Sequence, residues 1–183
     1  MTLVLGPVVR LQVQRGRLKP GERGSRVYDP APLHEVDALH VSAAGCLGRS
    51  GDAWLVDVHH AAHPDSRHTP HAPVSLLTTG SYRALRERFG PHLADGVAGE
   101  NVLVDSDRVL ADEVARAFSI GAVLLESVAP AEPCVEFARW CARLGPDASA
   151  REDLIALLGG ARGWYGVPVA GAVVSLGDVV RLA

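Results

Sequence analysis

Cys134 is the side chain of this sequence best placed to do covalent or metal chemistry. It follows Pro133 at the predicted start of a helix. Unpaired backbone N–H groups and the helix dipole favour a thiolate there, the form of cysteine that acts as a nucleophile or as a soft-metal ligand. We therefore predict that Cys134 is the catalytic residue. The alternative is that its thiol only packs in the core.

The other two cysteines have settings typical of packing. Cys141 lies seven residues after Cys134, which is about 10 Å along one helix face, so a disulfide between them is excluded if the helix forms. Cys46 lies in the small-residue stretch 45–48 and is predicted to pack in a turn. Three cysteines, an odd number, argue against a disulfide framework and for a reduced, cytoplasmic compartment.

A second candidate is the tripeptide Gly99-Glu100-Asn101, where a predicted turn enters an apolar strand. Glycine permits close approach of the backbone, while an adjacent carboxylate and amide can hold a polar ligand or fix a loop. We predict that these three residues bind a cofactor. A purely structural turn-to-strand junction is the alternative.

A third candidate is a histidine-rich stretch with two possible functions. Five of the eight histidines fall within thirteen residues: His59, His60, His63, His68 and His71. Imidazole is the commonest metal ligand, so one hypothesis is a metal-dependent site at 59–71. The stretch lacks the glutamate of HExxH, and its prolines favour a loop. The other hypothesis is contact with an anion or cofactor through His59, His60 and Arg67.

Several other functions are disfavoured. The sequence has no P-loop, GxGxxG, CxxC or GxSxG motif. Lys19, its only lysine, makes Schiff-base chemistry improbable. A formal net charge of -3 with dispersed arginines disfavours nucleic acid as a partner. No run approaches the roughly 18 apolar residues of a membrane span, and the N-terminal run is too short for a signal peptide.

The elements that must position these residues are mostly short strands. With 183 residues, 48% of them hydrophobic, the chain is expected to fold as one domain spanning 1–183. The predicted strands are 3–5 with 8–13, 36–41, a buried strand at 53–58, 101–104, 120–128, and a terminal hairpin of 167–174 with 179–182. This pattern favours a barrel or an α+β layout over a doubly wound sheet.

Helices are predicted at three places. One spans 81–89 and stops at Gly90, and the next spans 133–144. A capping box at Ser149 and Glu152 begins a third helix, which ends at 159–160. The segment 107–118 fits a helix or a wide connection equally well.

Four stretches together resemble the MOSC family (molybdenum cofactor sulfurase C-terminal domain). AGENVL at 98–103 is followed some thirty residues later by EPC at 132–134, in the order of the two signature stretches of that family. IGAVLLE at 120–126 is similar to the strand that leads to its cysteine, and GAVVSLGDVV at 171–180 resembles its closing strands. The resemblance covers residues 36–182.

The resemblance implies a mainly β fold, a closed Greek-key barrel of the pyruvate-kinase type with a few peripheral helices. It implies sulfur or molybdenum chemistry, in which the family's cysteine is proposed to carry a persulfide or to contact molybdenum. Cys134 takes that role, including that of molybdenum ligand, and Glu100 and Asn101 match the acidic and amide positions. The implied cofactor is the molybdenum cofactor (molybdopterin), with a family-level association with pyridoxal phosphate.

The implied partner is a small-molecule cofactor or sulfur donor, with no nucleic acid and no membrane, and the chain is expected to be a monomer or a homodimer. Whether it is an enzyme with sulfurase-like activity is open, and a non-catalytic barrel that binds a small ligand is the alternative.

Two positions depart from the family pattern. Glu132 precedes Pro133-Cys134 where the family often has a basic residue, so Arg139 or Arg67 is predicted to make the anion contact. Gly51-Asp52 lacks the histidine of the family's G-x-x-G-D-x-H segment, and residues 57–60 (DVHH) are predicted to replace it.

Overall fold

A computed structural model describes residues 3–22, 25–110, 117–145 and 162–182. This part of the chain contains twelve strands and two helices. The strands are β1 Leu3–Gln14, β2 Leu33–Glu35, β3 Ala38–Ser42, β4 Gly45–Ser50, β5 Ala53–Val56, β6 Val74–Thr78, β7 Val102–Val104, β8 Phe118–Ile120, β9 Val123–Pro130, β10 Trp164–Pro168, β11 Ala172–Ser175 and β12 Val179–Leu182. The helices are α1 Thr79–Phe89 and α2 Val135–Cys141.

Seven strands form a closed barrel in the order β12-β8-β9-β10-β6-β7-β1, and β1 pairs with β12 to close the ring. The long strand β1 makes this possible because two register shifts bend it, one between Val4 and Gly6 and one between Val8 and Arg10. Neighbouring strands run antiparallel, except that β6 and β7 are parallel. The predicted mainly β closed barrel is confirmed.

Inward-facing side chains of these strands form the main core. Leu11, Val102, Phe118 and Ile120 have no exposed surface. Each large apolar side chain buried in this way contributes on the order of 2 kcal/mol to folding. The barrel interior is therefore filled by side chains, and polar chemistry is confined to its rim and outer face.

A four-stranded sheet, β11-β3-β4-β5, packs against the barrel. Glycine allows this close packing, because a Cβ at Gly48 would come within 2.9 Å of Val13 and within 2.6 Å of Val36. Two predictions were wrong here. Cys46 lies on β4 and not in a turn, and β5 is an edge strand whose Trp54 is 49% exposed, since its hydrogen-bonded neighbour is β4 alone.

Two predicted strand arrangements also differ from the structure. The segment predicted as one strand at 120–128 is a hairpin of β8 and β9, because Gly121 turns the chain with a φ of 57°. The predicted terminal hairpin was wrong, since β11 pairs with β3 whereas β12 pairs with β1 and β8. The turn between them is real: Asp178 accepts from the Ser175 N–H at 2.8 Å.

Both described helices pack on the outside of the barrel in a second apolar cluster, which includes Tyr82, Leu85, Phe137 and Cys141. Helix α1 starts earlier than predicted, with Thr78 as its N-cap. Helix α2 is shorter than the predicted 133–144. The helix predicted to begin near residue 149 lies outside the described residues. No described helix has the length and apolar character needed to cross a membrane.

Candidate functional site

Cys134 lies where two paired barrel strands end. In the antiparallel β9–β10 pair, Pro130 is opposite Trp164. One residue further out, the Ala131 N–H donates to the Gly163 carbonyl at 2.8 Å. The chain that leaves β9 towards Cys134 and the chain that enters β10 from Arg162 therefore lie at the same edge of the barrel.

The thiol of Cys134 caps helix α2 and is partly buried. Its sulfur accepts from the Phe137 N–H at 3.5 Å, and its S–H donates to Oε2 of Glu136 at 3.3 Å. Burial alone would raise the pKa of Glu136, but hydrogen bonds from its own N–H and from Cys134 lower it below its usual value. Glu136 is therefore an ionised acceptor beside the thiol.

The other two cysteines are fully buried. Cys46 donates to the Pro73 carbonyl at 3.4 Å, and burial raises the pKa of its thiol well above the ordinary value. Burial also raises the pKa of Cys141, to about 12. Cys134 is thus the one cysteine of the chain with an exposed fraction larger than that of a core residue.

Arg162 is a cation beside this thiol. Its Nη1 donates to the Ala98 carbonyl at 3.2 Å, and its guanidinium carbon lies 4.7 Å from the centre of the Phe137 ring. Its Nε is buried without a hydrogen-bond partner, and no described carboxylate lies within ion-pair distance of it. Burial alone would lower the pKa of Arg162. Neighbouring groups that become negative on deprotonation, among them Tyr28 and Cys134, raise it by more, so the pKa lies above its usual value.

Gly163 fixes the position of Arg162 by its own lack of a side chain. Its φ is 74°, in the left-handed region, and a Cβ there would collide with the backbone carbonyl of Leu76. Only glycine fits both requirements. The close approach of β6 and β10 therefore determines where the arginine enters the site.

Glu100 is a buried carboxyl in the same neighbourhood, with 5% of its surface exposed. The Tyr82 hydroxyl donates to its Oε2 at 2.8 Å and itself accepts from the Ala98 N–H at 2.9 Å. Its Oε1 is buried without a partner. Burial raises the pKa of Glu100 to about 7, although the Tyr82 hydrogen bond and the charges of Arg162 and Arg10 oppose the rise. The group therefore exchanges its proton near neutral pH.

Asn101 points to the opposite side of the backbone from Glu100, as consecutive residues of an extended chain do. Its Nδ2 donates to Oδ2 of Asp57 at 3.2 Å and to the Gln12 carbonyl at 3.3 Å, while its Oδ1 accepts from the backbone and side chain of Ser75. Glu100 therefore lies on the side of Arg162, whereas Asn101 links Ser75 of β6 to Gln12 of β1.

Gly99 has a structural role in the described chain. Its φ is 84°, and a Cβ would come within 2.6 Å of Leu18. Its carbonyl accepts from Nε2 of Gln14 at 2.8 Å. The predicted contact of Gly99 with a cofactor stays a prediction, since what the structure displays is a tight turn before β7.

His59 is oriented by a buried carboxylate. Oδ1 of Asp57, a residue 1% exposed, accepts from the His59 backbone N–H at 2.8 Å and lies 3.1 Å from its Nδ1. Oδ2 of Asp57 accepts from the Gln14 N–H and from Asn101. Because a carboxylate only accepts, Nδ1 carries the proton and Nε2 is left as a partly exposed acceptor.

Three further histidines of the loop, His60, His63 and His68, make hydrogen bonds within the loop itself. Nδ1 of His60 accepts from the Ala62 N–H at 3.1 Å, and Nδ1 of His63 accepts from the Asp65 N–H at 3.0 Å. Burial, opposed by the charge of Asp57, lowers the pKa of His60. Across the described residues, no three His, Cys, Asp or Glu side chains are grouped as a metal ion requires, so the metal hypothesis for 59–71 gains no support.

The two arginines predicted to bind an anion lie in different places. Arg67 is exposed in the histidine-rich loop. Arg139, on α2, borders an open surface groove. The groove is lined by Arg26, Val27, Tyr28, Glu136, Arg139, Trp140 and Leu144. Because Glu136 also accepts from the thiol, this groove adjoins Cys134.

Sequence reasoning missed Arg162 and Tyr82 as candidate site residues, and it included Asp57 only as part of the stretch 57–60. Arg162 had only a weak local signal, a basic residue before a glycine that enters a strand, and the pairing of β9 with β10 was needed to bring it to Cys134. Tyr82 has helical spacing with Leu85 and Phe89, so the sequence pattern assigns it only to the apolar face of α1. Its hydroxyl belongs to the site because it donates to Glu100.

The family model of the MOSC domain matches residues 57–181. Among solved structures, the YuaD protein from Bacillus subtilis is similar with a TM-score of 0.61 at 13% identity, over 99% of this chain and 95% of that one. YiiM from Geobacillus stearothermophilus has a TM-score of 0.58 at 17% identity, over 97% and 74%.

YiiM from Escherichia coli has a TM-score of 0.53 at 19% identity, over 82% of this chain and 64% of that one. None of the curated proteins compared with the sequence matches it. At these identities the solved structures show the fold, and the family model extends from Asp57 through Cys134 to β12.

Proposed function

Because the chain belongs to the MOSC domain family, we propose that it handles sulfur or the molybdenum cofactor through the thiol of Cys134. One observation carries this proposal: of the three cysteines, Cys134 alone is not fully buried, and the guanidinium of Arg162, which has no carboxylate partner among the described residues, packs on the ring of Phe137, whose N–H donates to the Cys134 sulfur. A positive charge next to a thiol stabilises both the thiolate and a persulfide anion.

Sulfur transfer at this site is a redox-neutral exchange of bonds. The Cys134 thiolate attacks the terminal sulfur of a persulfide donor, and a new S–S bond forms at Sγ. The S–S bond of the donor breaks, and the donor leaves as a thiolate with the bonding electron pair. The proton of Cys134 passes first to Glu136, its hydrogen-bond acceptor, and then to solvent.

The donor set also fits the molybdenum cofactor. A cysteine thiolate is a soft ligand for a metal, and Arg162 offers a cation with a free Nε to an anionic group. When bound, this cofactor supplies redox chemistry and the transfer of oxygen or sulfur. Cys134 would hold the metal, and Arg162 would orient the anionic part of the group.

Mass spectrometry after incubation with a small organic persulfide tests the proposal. We expect the wild-type chain to gain about 32 Da, one sulfur atom, on the peptide that contains Cys134. Cys134→Ser should gain none, and Cys141→Ser should behave like the wild type. Metal analysis of protein from cells that make the cofactor distinguishes the molybdenum role. Absence of both the sulfur adduct and molybdenum would refute the proposal.

A further inference from the structure

Two buried polar atoms in the region of Cys134 have no hydrogen-bond partner. They are Nε of Arg162, whose guanidinium packs on Phe137 next to the thiol, and Oε1 of Glu100. Buried donors and acceptors are almost always hydrogen-bonded in folded proteins, so an unpaired one near a reactive group points to a ligand. Glu100 meets this criterion strictly, since 95% of its surface is buried and its Oε1 has no hydrogen-bond partner among the described residues.

Short bonds through Ala98 connect these two side chains. Arg162 donates to the Ala98 carbonyl, and the Ala98 N–H donates to the Tyr82 hydroxyl. That hydroxyl in turn donates to Oε2 of Glu100. The guanidinium and the carboxyl are therefore held in one network, and Arg162 also interacts electrostatically with Cys134.

The hydrogen-bond pattern makes Oε1 of Glu100 a proton donor. Because Tyr82 donates to Oε2, the proton of the neutral acid resides on Oε1. The charged and titratable groups that face Glu100 are Tyr82 from α1, Arg10 from β1 and Arg162 from the segment before β10. With burial they give the carboxyl a pKa of about 7, so the neutral acid is populated at physiological pH.

Arg162 Nε–H and Glu100 Oε1–H are then two donors in one buried network, and one of them is charged. Such a pair stabilises an oxyanion, whose oxygens accept from both. A simple alkyl thiol or persulfide has no oxygen atom that could accept from the two donors. The ligand that satisfies the network carries negatively charged oxygens next to its sulfur.

We propose that the sulfur donor of Cys134 is a small anionic sulfane of the thiosulfate class, with its oxyanion held by Arg162 and Glu100. This inference rests on the proposed sulfur-handling function and adds the class of donor. The Cys134 thiolate attacks the outer sulfur of thiosulfate, and the new S–S bond forms at Sγ. The bond between the two thiosulfate sulfurs breaks, and sulfite leaves with its electron pair. No external oxidant or reductant is needed.

The test compares two sulfur donors on the full-length chain: thiosulfate and a small organic persulfide that carries no oxyanion. The sulfur adduct on Cys134 is measured by mass spectrometry, and sulfite release is measured in solution. We expect both donors to load the wild-type chain. Arg162→Met removes the charge that stabilises the thiolate, so loading from both donors should slow, and loading from thiosulfate should fall at least about tenfold further than loading from the persulfide. Arg181→Met, the same change on exposed β12, should leave both rates unchanged.

Glu100 variants provide a second readout. Glu100→Gln keeps a donor at this position and should retain thiosulfate loading, whereas Glu100→Ala should lose it. If Arg162→Met fails to fold, Arg162→Lys keeps the charge but removes the Nε–H, and it should lower thiosulfate loading selectively.

The outcomes separate the inference from the function on which it rests. Loading of the wild type by the persulfide but not by thiosulfate overturns the anionic donor and leaves the sulfur-handling proposal intact. Equal loss of both donors in the Arg162 variants also overturns it. Failure of both donors to load the wild type removes the proposed sulfur transfer itself.

Discussion

Tyr82 donates its phenolic hydrogen to Oε2 of Glu100 over 2.8 Å, inside the apolar layer between α1 and the barrel. The bond satisfies one oxygen of a buried carboxyl and leaves the other without a partner. Burial of this acid makes its ionisation a property of the whole fold, because the unfolded chain would release the proton at a much lower pH.

Glu100 should make the stability of the protein fall as pH rises from about 4.5 to about 7. Its pKa is about 7 in the folded chain against an ordinary value of 4.5. Within this window the folded chain keeps a proton that the unfolded chain has lost, so raising the pH favours unfolding. The loss approaches roughly 3 kcal/mol above pH 7. Urea unfolding between pH 4 and 8 measures it.

Glu100→Gln should remove most of this slope, since the amide does not titrate but can still accept from Tyr82. Glu87→Gln, an exposed change on α1, is the matched control and should leave the slope unchanged. If Glu100→Gln and the wild type show the same pH dependence, Glu100 is not the titrating group.

Only one of the three thiols should react in the folded protein. Cys134 is partly exposed, whereas Cys46 and Cys141 are buried and their pKa values are raised. Iodoacetamide at pH 8 should therefore modify one cysteine per folded chain and all three in urea. Peptide mapping identifies the site. Modification of Cys141 at a rate similar to that of Cys134 would contradict the burial described for α2.

Gly163→Ala should destabilise the protein more than Gly177→Ala. Both glycines have positive φ, at 74° and 86°, so each alanine costs roughly 1 kcal/mol for its backbone conformation. At Gly163 the added Cβ also meets the Leu76 carbonyl, whereas at Gly177 it meets nothing within 4 Å. The additional cost should be roughly 1–3 kcal/mol, measured by urea unfolding. Equal costs would show that the β6–β10 approach is looser than described.

Asp57→Asn should destabilise the protein by roughly 3 kcal/mol at pH 7, because an amide puts a donor against a group of donors. The Asp57 carboxylate interacts with four of them, from the backbone of Gln14, from Asn101, and from both the backbone and ring of His59. Asp37→Asn is the control, since that exposed residue accepts from Gly51 and should lose less than about 0.5 kcal/mol. Similar losses in the two variants would contradict the role of the Asp57 carboxylate as the acceptor of these four donors.

Local sequence patterns predicted the strands and helices whose alternation, spacing or capping residues lie within the element itself. Alternation predicted β1 and helical spacing predicted α1, while Pro133 predicted a helix from residue 133 that in the structure begins at Val135. Strand β4 was missed because its glycines are typical of a turn. Packing explains Gly48, since a Cβ there would come within 2.6 Å of Val36. The turn at 175–178 was located correctly, but its flanking strands pair with distant partners that no local pattern specifies.

The residues of the candidate site also fall into two groups, those that the local sequence could identify and those that only the fold brings together. Cys134 and Glu100 were singled out from residue type and resemblance, and their roles stay predictions. Arg162 could not be found, because its place depends on a strand pair between residues more than thirty positions apart. The opposite directions of Glu100 and Asn101 could have been predicted from the two-residue repeat of an extended chain.

Because Glu100 and Asn101 face opposite sides of one short segment, their register with β7 is as restrictive as their identity. Deleting one residue from the start of β7, such as Val102, would move Glu100 into the position of Asn101 and turn the carboxyl towards Asp57, so that two acids would meet in a space that now holds one. Substitutions change one side chain at a time along this segment. A change of length at the start of β7 would displace both side chains at once, so homologous chains that keep both clusters should align here without gaps.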